Sequence, residues 1–329
     1  MIEWDRALRI TGTPLYLDSR LPRPLGFVSH AHSDHIAPHD RVIATPQTAA
    51  LLAHRLGSID TLPVEVYGTA NLAPGLQVAL RPAGHVLGSA MLHATTDRGT
   101  LLYTGDFKLR PSATCQTADP LAADVLVMES TFGIPLFRFP PREQLVAELI
   151  ERVGQALRDG RQPIVYGYSL GKAQEIVRLL GDAGFVVTEH GAVAAISRIY
   201  RSLGVPLPDT RRYVAADFHG PAALDLAERG VLVAPPQMAR SGFTTNFEKP
   251  LRIMLSGWGI LRNASYRYGV DHVLPISDHA DFDELLELIE RVKPRRIFTH
   301  HGYKEFVDHL RARGHDAALA RPDAQMTLF

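Results

Sequence analysis

Three histidines and an aspartate crowd into six residues, His30-Ala31-His32-Ser33-Asp34-His35, directly behind the apolar run Phe27-Val28. Histidines two apart at a strand end project to one side. The segment therefore predicts a strand-to-loop junction whose side chains converge on a metal. Imidazole nitrogen and carboxylate oxygen suit zinc, or manganese where oxygen dominates.

More donors stand at candidate strand ends downstream. His85 follows Gly84 and Asp106 follows Gly105, and glycine permits the close backbone approach that a crowded site demands. With the first cluster they make a donor set large enough for two metals, and Asp106 is able to bridge them. The C-terminal third adds Ser277-Asp278-His279-Ala280-Asp281 and Thr299-His300-His301-Gly302. Only one of the adjacent histidines can share the inward face of the preceding strand, so one of them is structural. His301, beside Gly302, is the expected ligand.

Between Val42 and Leu109 short apolar runs at 75–80, 90–95 and 100–104 are punctuated by turns and read as strands of one sheet. After a buried-strand run at 123–129 the texture changes. Leu145, Leu149, Val153 and Leu157 recur at helical spacing. Next come a strand at 163–166, a helix opened by Ser169 and Gly171, and strands at 185–188, 231–234 and 251–255. That alternation predicts a parallel sheet between helices. The tail reads as helix 283–291, strand 296–299 and helix 304–313. With no internal repeat or long linker, a second domain is expected as an insertion packed on the first.

At 329 residues the chain is long enough for two domains, and 46% hydrophobic with 21% charged residues is a folded-protein composition. The N-terminus does not read as a signal peptide and no apolar run reaches membrane-spanning length, so the expectation is a cytoplasmic protein with no membrane partner. Cys115 has no second cysteine to pair with. Basic and acidic residues balance at 35 each, which argues against a passive binder of polyanions but not against an enzyme whose bound cations supply local charge. Lys293-Pro294-Arg295-Arg296 and Arg211-Arg212 could guide a nucleic-acid backbone.

His30, His32, Asp34 and His35 match the His-x-His-x-Asp-His signature, and the chain resembles the metallo-β-lactamase superfamily. The resemblance implies an α/β fold, an αββα sandwich, holding two divalent ions, zinc foremost with manganese possible. One ion would take His30, His32, His85 and Asp106, the other Asp34, His35, Asp106 and His301. Asp18 is similar to the family's early aspartate that supports the ligand loop. Glu129-Ser130-Thr131-Phe132-Gly133, Leu170-Gly171-Lys172-Ala173-Gln174-Glu175, Leu255-Ser256-Gly257-Trp258 and the segment around His279 resemble the β-CASP nucleases. That implies an inserted β-CASP α/β domain at 136–270 between metallo-β-lactamase parts at 1–135 and 271–329. Glu129 would be the motif A acid, His279 the motif B histidine and His301 the motif C histidine.

Within β-CASP proteins the likeness is to the bacterial ligase-associated DNA exonucleases, carried by the compact length, residues 129–135 and His190-Gly191-Ala192-Val193. It implies a two-metal phosphodiesterase acting on nucleic acid, DNA before RNA, in end processing or repair, with a DNA ligase and a helicase as partners. One departure favours an RNA-processing ribonuclease instead: eukaryotic DNA-specific members lack the motif C histidine that stands here as His301. A thioesterase or lactamase is a further alternative, but it leaves the insertion unexplained, and a non-catalytic scaffold would have lost ligands. Asp34, Glu129 and His279 are the expected catalytic residues. A water made acidic between two ions would attack phosphorus, and His279, oriented by Glu129, would protonate the leaving oxygen. Ser169, Lys172 and Ser256 are expected to hold substrate, the first two at a helix start. Gly167 and Gly171 do not make a Walker loop.

Overall fold

The computed structural model describes residues 1–320 and divides into two units: Met1–Arg138 with the segment from His279 onward, and Phe139–Asp278. Among the described residues the first unit carries two sheets. One runs in chain order through Ile2–Trp4, Leu8–Ile10, Leu15–Leu17, Leu25–Phe27, Arg41–Ala44 and Thr61–Pro63. The other places its strands in the order Ala317–Leu319, Arg296–His300, Val125–Glu129, Gly99–Tyr103, Ala90–Thr96, Leu76–Pro82 and Thr69–Ala73.

Side chains two apart share a sheet face, and this decides the layers. Leu101, Tyr103 and Val127 of the second sheet meet Leu15, Leu17, Phe27 and Ile43 of the first. Their neighbours Leu102, Leu126 and Met128 turn the other way, onto Phe282, Leu285 and Ile289 of helix Phe282–Val292 and Phe306 and Leu310 of helix Lys304–Ala312. Strands buried on both faces read as unbroken apolar runs, which is why these were visible in the sequence. Helix Pro46–Leu56, capped by Thr45, buries Leu51 and Leu52 beside strand Thr61–Pro63. The unit is an αββα sandwich. Strands Val125–Glu129 and Arg296–His300 run parallel with Glu129 opposite His300, so their carboxyl ends open at the same end of the sandwich.

The second unit is built on a parallel sheet ordered Arg211–Arg212, Val187–Glu189, Val231–Ala234, Gln162–Tyr166, Pro250–Leu255 and His272–Leu274. One face packs on Leu145, Leu149 and Val153 of helix Arg142–Arg158 and on Ile176, Val177 and Leu180 of helix Lys172–Asp182. Leu149 is fully buried, and cutting it to Ala costs about 2–5 kcal/mol by transfer plus cavity. The other face gathers Tyr166, Leu232 and Met254 with Phe218 and Phe247.

The insertion is shifted along the chain from the expected 136–270, starting at Phe139 and ending at Asp278. Strand His272–Leu274 hydrogen-bonds Pro250–Leu255 within the insertion sheet, so the unit continues to Asp278. At its start, Phe137 packs on Phe132 and Arg138 pairs with Asp283, which keeps both in the first unit.

Candidate metal centre

The ligand loop leaves strand Leu25–Phe27 and is tied down at once by Asp18. Ser29 donates its backbone N–H to Asp18 Oδ1 at 2.7 Å and its hydroxyl to Oδ2 at 2.6 Å. Tyr103 donates its hydroxyl to the same Oδ2 at 2.8 Å, and His35 Nδ1 lies 2.9 Å from it. A carboxylate facing Nδ1 fixes the N–H there and turns the lone pair of Nε2 inward. Gly105 completes the floor: at φ +54° a Cβ would stand 2.4 Å from Ser29 Oγ, so no other residue allows the loop carrying Asp106 to come this close.

Three imidazole nitrogens face one another above that floor. His32 Nδ1 is 3.0 Å from His30 Nε2 and 3.1 Å from His85 Nε2. Ligands at about 2.0–2.1 Å from one tetrahedral ion stand roughly 3.3 Å apart, so the triad has the size of a zinc shell. Asp106 Oδ2 lies 3.5 Å from His30 Nε2 and 3.9 Å from His85 Nε2. The same oxygen is 3.2 Å from His35 Nε2 on its other side, and His301 joins His35 and Asp106 as a second donor group. Asp106 is thus shared by both groups.

The electrostatics fit cations. Burial, reinforced by repulsion from His35 and His85, pushes His30 well below the ordinary histidine range, so it stays a neutral donor. Burial alone would lower His35 too, but Asp106 and Asp18 outweigh it and hold it well above, so a cation taken up at Nε2 would displace a proton from it. Burial would raise Asp106, yet His35 and His279 hold it well below the usual carboxylate range. His35 Nε2 and Asp106 Oδ1 are buried without a hydrogen-bond partner. Each such orphan costs about 1–3 kcal/mol or more if nothing answers it, and a cation between them answers both. The donors present fit a two-metal centre.

Beside it stands Glu129, fully buried at the end of its strand. Its Oε1 accepts from the Phe107 N–H at 3.0 Å and lies 2.8 Å from His279 Nδ1. Its Oε2 accepts from the Thr131 hydroxyl at 2.5 Å. The His279 ring is 4.7 Å from that of His85, so the pair borders the first donor group.

Of the adjacent histidines, His301 turns to the donors at φ +53° while His300 is half-buried and stacks on Tyr103. Gly302 makes that turn possible, because a Cβ there would lie 2.0 Å from Ser130 Oγ and 2.1 Å from Ser130 O. Asp34 is 59% exposed in its side chain, and its Oδ2 lies 3.9 Å from His35 Nε2, the same separation that Asp106 Oδ2 keeps from His85 Nε2. One expectation needs correction. Lys172 does not offer its charge to a ligand, because its ammonium is buried between Glu175 Oε2 at 2.9 Å and Asp278 Oδ1 at 2.5 Å. Ser169 accepts from Gln174 through its carbonyl, and Ser256 shares its hydroxyl with Tyr268 at 3.0 Å while capping the turn at Trp258.

Residues 265–320, which contain His279 and His301, match the family described as Zn-dependent metallo-hydrolase RNA specificity domain. The chain is 36% identical over 99% of its length to a protein from Opitutus terrae named Probable DNA ligase, of which it covers 32%. It is 30% identical over 87% of its length to the 5' exonuclease Apollo of Gallus gallus, covering 61% of that protein. An RNase J-like protein of Methanocaldococcus jannaschii is 30% identical over 47% of the chain, which covers 42% of it. Together these matches support a likeness to the β-CASP nucleases of the metallo-β-lactamase superfamily. It spans less than two thirds of the length of each of these relatives. A solved structure of a protein of unknown function from Enterococcus faecalis V583 shares the fold, with a TM-score of 0.56 at 16% identity over 84% of this chain and 75% of that one.

The residues that sequence reasoning passed over are those that hold others. Ser29 sits beside the signature and was readable as a neighbour of His30. Tyr103 and Thr131 gave no signal, since nothing in the sequence reveals which hydroxyls reach Asp18 and Glu129.

Proposed function

We propose that the chain is a metal-dependent phosphodiesterase acting on nucleic acid. The observation that carries the reading is Asp106 standing between two donor groups, with the Glu129–His279 pair alongside. His30, His32, His85 and Asp106 would hold one divalent ion, His35, Asp106 and His301 the other, with zinc the first choice for the nitrogen-rich group. When bound, such ions acidify water and neutralise charge on the phosphoryl group. Glu129 keeps the proton of His279 on Nδ1, leaving Nε2 to exchange a proton with the leaving oxygen. Phe107 N–H and Thr131 in turn hold Glu129 in place.

For the polymer, the wider support lies with RNA rather than with the DNA reading that the sequence put first: the RNA specificity family over 265–320 and the RNase J-like relative both point that way. The DNA reading keeps one specific observation, the match over 99% of the chain to a protein named as a DNA ligase. Association with a ligase belongs to that second reading. Among the described residues no helix is long and apolar enough to cross a membrane. End-labelled single- and double-stranded RNA and DNA, incubated with zinc- or manganese-loaded protein, decide between the readings. A metal-loaded protein that leaves all four intact refutes both.

A further inference from the structure

One peptide bond separates the end of the insertion from the Glu129–His279 pair: Asp278 closes the second unit and His279 opens the return of the first. The residues on both sides of His279 are held. Ala280 donates its N–H to the Phe107 carbonyl at 2.7 Å, and Phe107 is the residue whose own N–H holds Glu129. On the other side Asp278 is buried, with its Oδ1 2.5 Å from the Lys172 ammonium.

Lys172 is costly where it stands. It opens helix Lys172–Asp182, where the positive end of the helix dipole disfavours a cation, and its buried ammonium has lost its water. Burial would lower its pKa, but Asp278 and then Glu175 outweigh that and keep it charged. Glu175 carries the array further: Oε2 lies 2.9 Å from Lys172 Nζ, and Oε1 accepts from Arg142 Nη2 at 2.9 Å. The backbone around the lysine is shaped to place it. A Cβ on Gly167 would stand 2.7 Å from Lys172 Cγ, and the turn before the helix is closed by Gln174, which accepts from the Gly171 N–H at 2.8 Å and donates to the Ser169 carbonyl at 3.0 Å. Against apolar packing of equal volume a buried ion array adds little net stability, and what it supplies is fixed geometry.

We propose that Lys172 is a positioning residue for His279. Its ammonium pins Asp278 while Phe107 pins Ala280, and between these anchors the imidazole has the backbone setting from which Nδ1 meets Glu129 Oε1 at 2.8 Å. The ring is partly exposed, so packing alone does not immobilise it. Proton exchange between Nε2 and a leaving oxygen requires that setting. The inference rests on the role given to His279 in the phosphodiesterase reading, and it is tested without turnover.

The test is solvent exchange of the His279 Nδ1 proton in the full chain, carrying isotope-labelled histidine and kept in chelator, with the signal assigned by its loss in His279→Ala. Asp278→Ala removes the anchor and leaves Lys172 paired with Glu175. Lys172→Met removes the charge with little change in volume. Each should speed exchange about tenfold, the weight of one hydrogen bond to a charged group. Leu149→Ala, which weakens the insertion core away from this array, should leave the parental rate. Parental exchange in Asp278→Ala overturns the proposal, whether or not Lys172→Met folds. Equal acceleration in Leu149→Ala overturns it too, because the effect would then be lost stability. In metal-loaded protein Asp278→Ala should lower kcat with KM and metal content unchanged. If the parental chain cleaves no polymer, the phosphodiesterase reading fails, and proton exchange still decides whether Lys172 positions the ring.

Discussion

Asp18→Asn swaps one oxygen for nitrogen, and the geometry of the native carboxylate sets the outcome. Oδ2 is where three groups converge, the hydroxyls of Ser29 and Tyr103 and His35 Nδ1, while Oδ1 receives only the Ser29 N–H. If the amide keeps its oxygen toward Ser29 N–H, its NH2 faces His35. The hydroxyls can rotate to accept, but the imidazole must move its proton from Nδ1 to Nε2. That proton then points at Asp106, 3.2 Å away, where a neutral lone pair is needed for a metal. If the amide flips, NH2 meets Ser29 N–H at 2.7 Å, two donors with no acceptor, at a cost to the fold of about 1–3 kcal/mol.

Both orientations therefore leave a mark, in different assays. The first weakens metal binding at the His35 and His301 group by about 10–100-fold, the usual effect of removing such a support, while His30, His32 and His85 keep theirs. The second lowers the unfolding free energy with metal affinity retained. Chelator competition for stoichiometry, combined with urea unfolding of the metal-free chain, reads both. An Asp18→Asn protein that binds two ions with parental affinity and unfolds at the parental midpoint would refute the role of Asp18 as tautomer setter.

Three more perturbations have outcomes set by single contacts. His279→Ala should abolish cleavage of labelled RNA and DNA with metal content near normal, since the ring hydrogen-bonds Glu129 and the donors of His30, His32, His85 and His35 remain; unchanged turnover would sink its role. Lys172→Ala leaves Glu175 and Asp278 buried with one cation fewer and should cost about 3–5 kcal/mol in urea unfolding, whereas a loss under about 1 kcal/mol would show that the pair is dispensable. His300, pushed well below its ordinary 6.5 first by burial, refuses a proton that the unfolded chain accepts. Stability of the metal-free chain should thus fall as pH drops below about 6.5, by up to about 1.4 kcal/mol per pH unit from this group. His300→Phe, which keeps the ring against Tyr103, should flatten that slope without loss at pH 8; an unaltered acid slope counts against the assignment.

The elements legible in the sequence were those whose neighbours leave little choice. Strand Val125–Glu129 opens with an unbroken apolar run because both its faces are covered, and helix Arg142–Arg158 shows its inward stripe at Leu145, Leu149 and Val153. The domain edge at 270 failed for a reason no local pattern can supply. His272–Leu274 is three residues long, and only its pairing with Pro250–Leu255 assigns it to the insertion.

The site divides along the same line. Convergence of His30, His32, His85 and Asp106 could be inferred because each stands at a strand end beside glycine or inside a dense motif, and strand ends of one sandwich must meet. What spacing cannot convey is burial, and burial decides how much a charge contributes. Asp34 belongs to the motif by sequence and its carboxylate is 59% exposed, where water screens a charge far more than the interior does. Asp106, 7% exposed in its side chain, acts at a lower effective dielectric and so dominates the field at both donor groups. Lys172 errs in the opposite sense: a lysine at a helix start suggests a phosphate, but at 2% exposure between two carboxylates its charge is neutralised within the insertion. A motif therefore names the side chains that could act, and only their depth in the protein separates the ones that hold a cation from those that hold the fold.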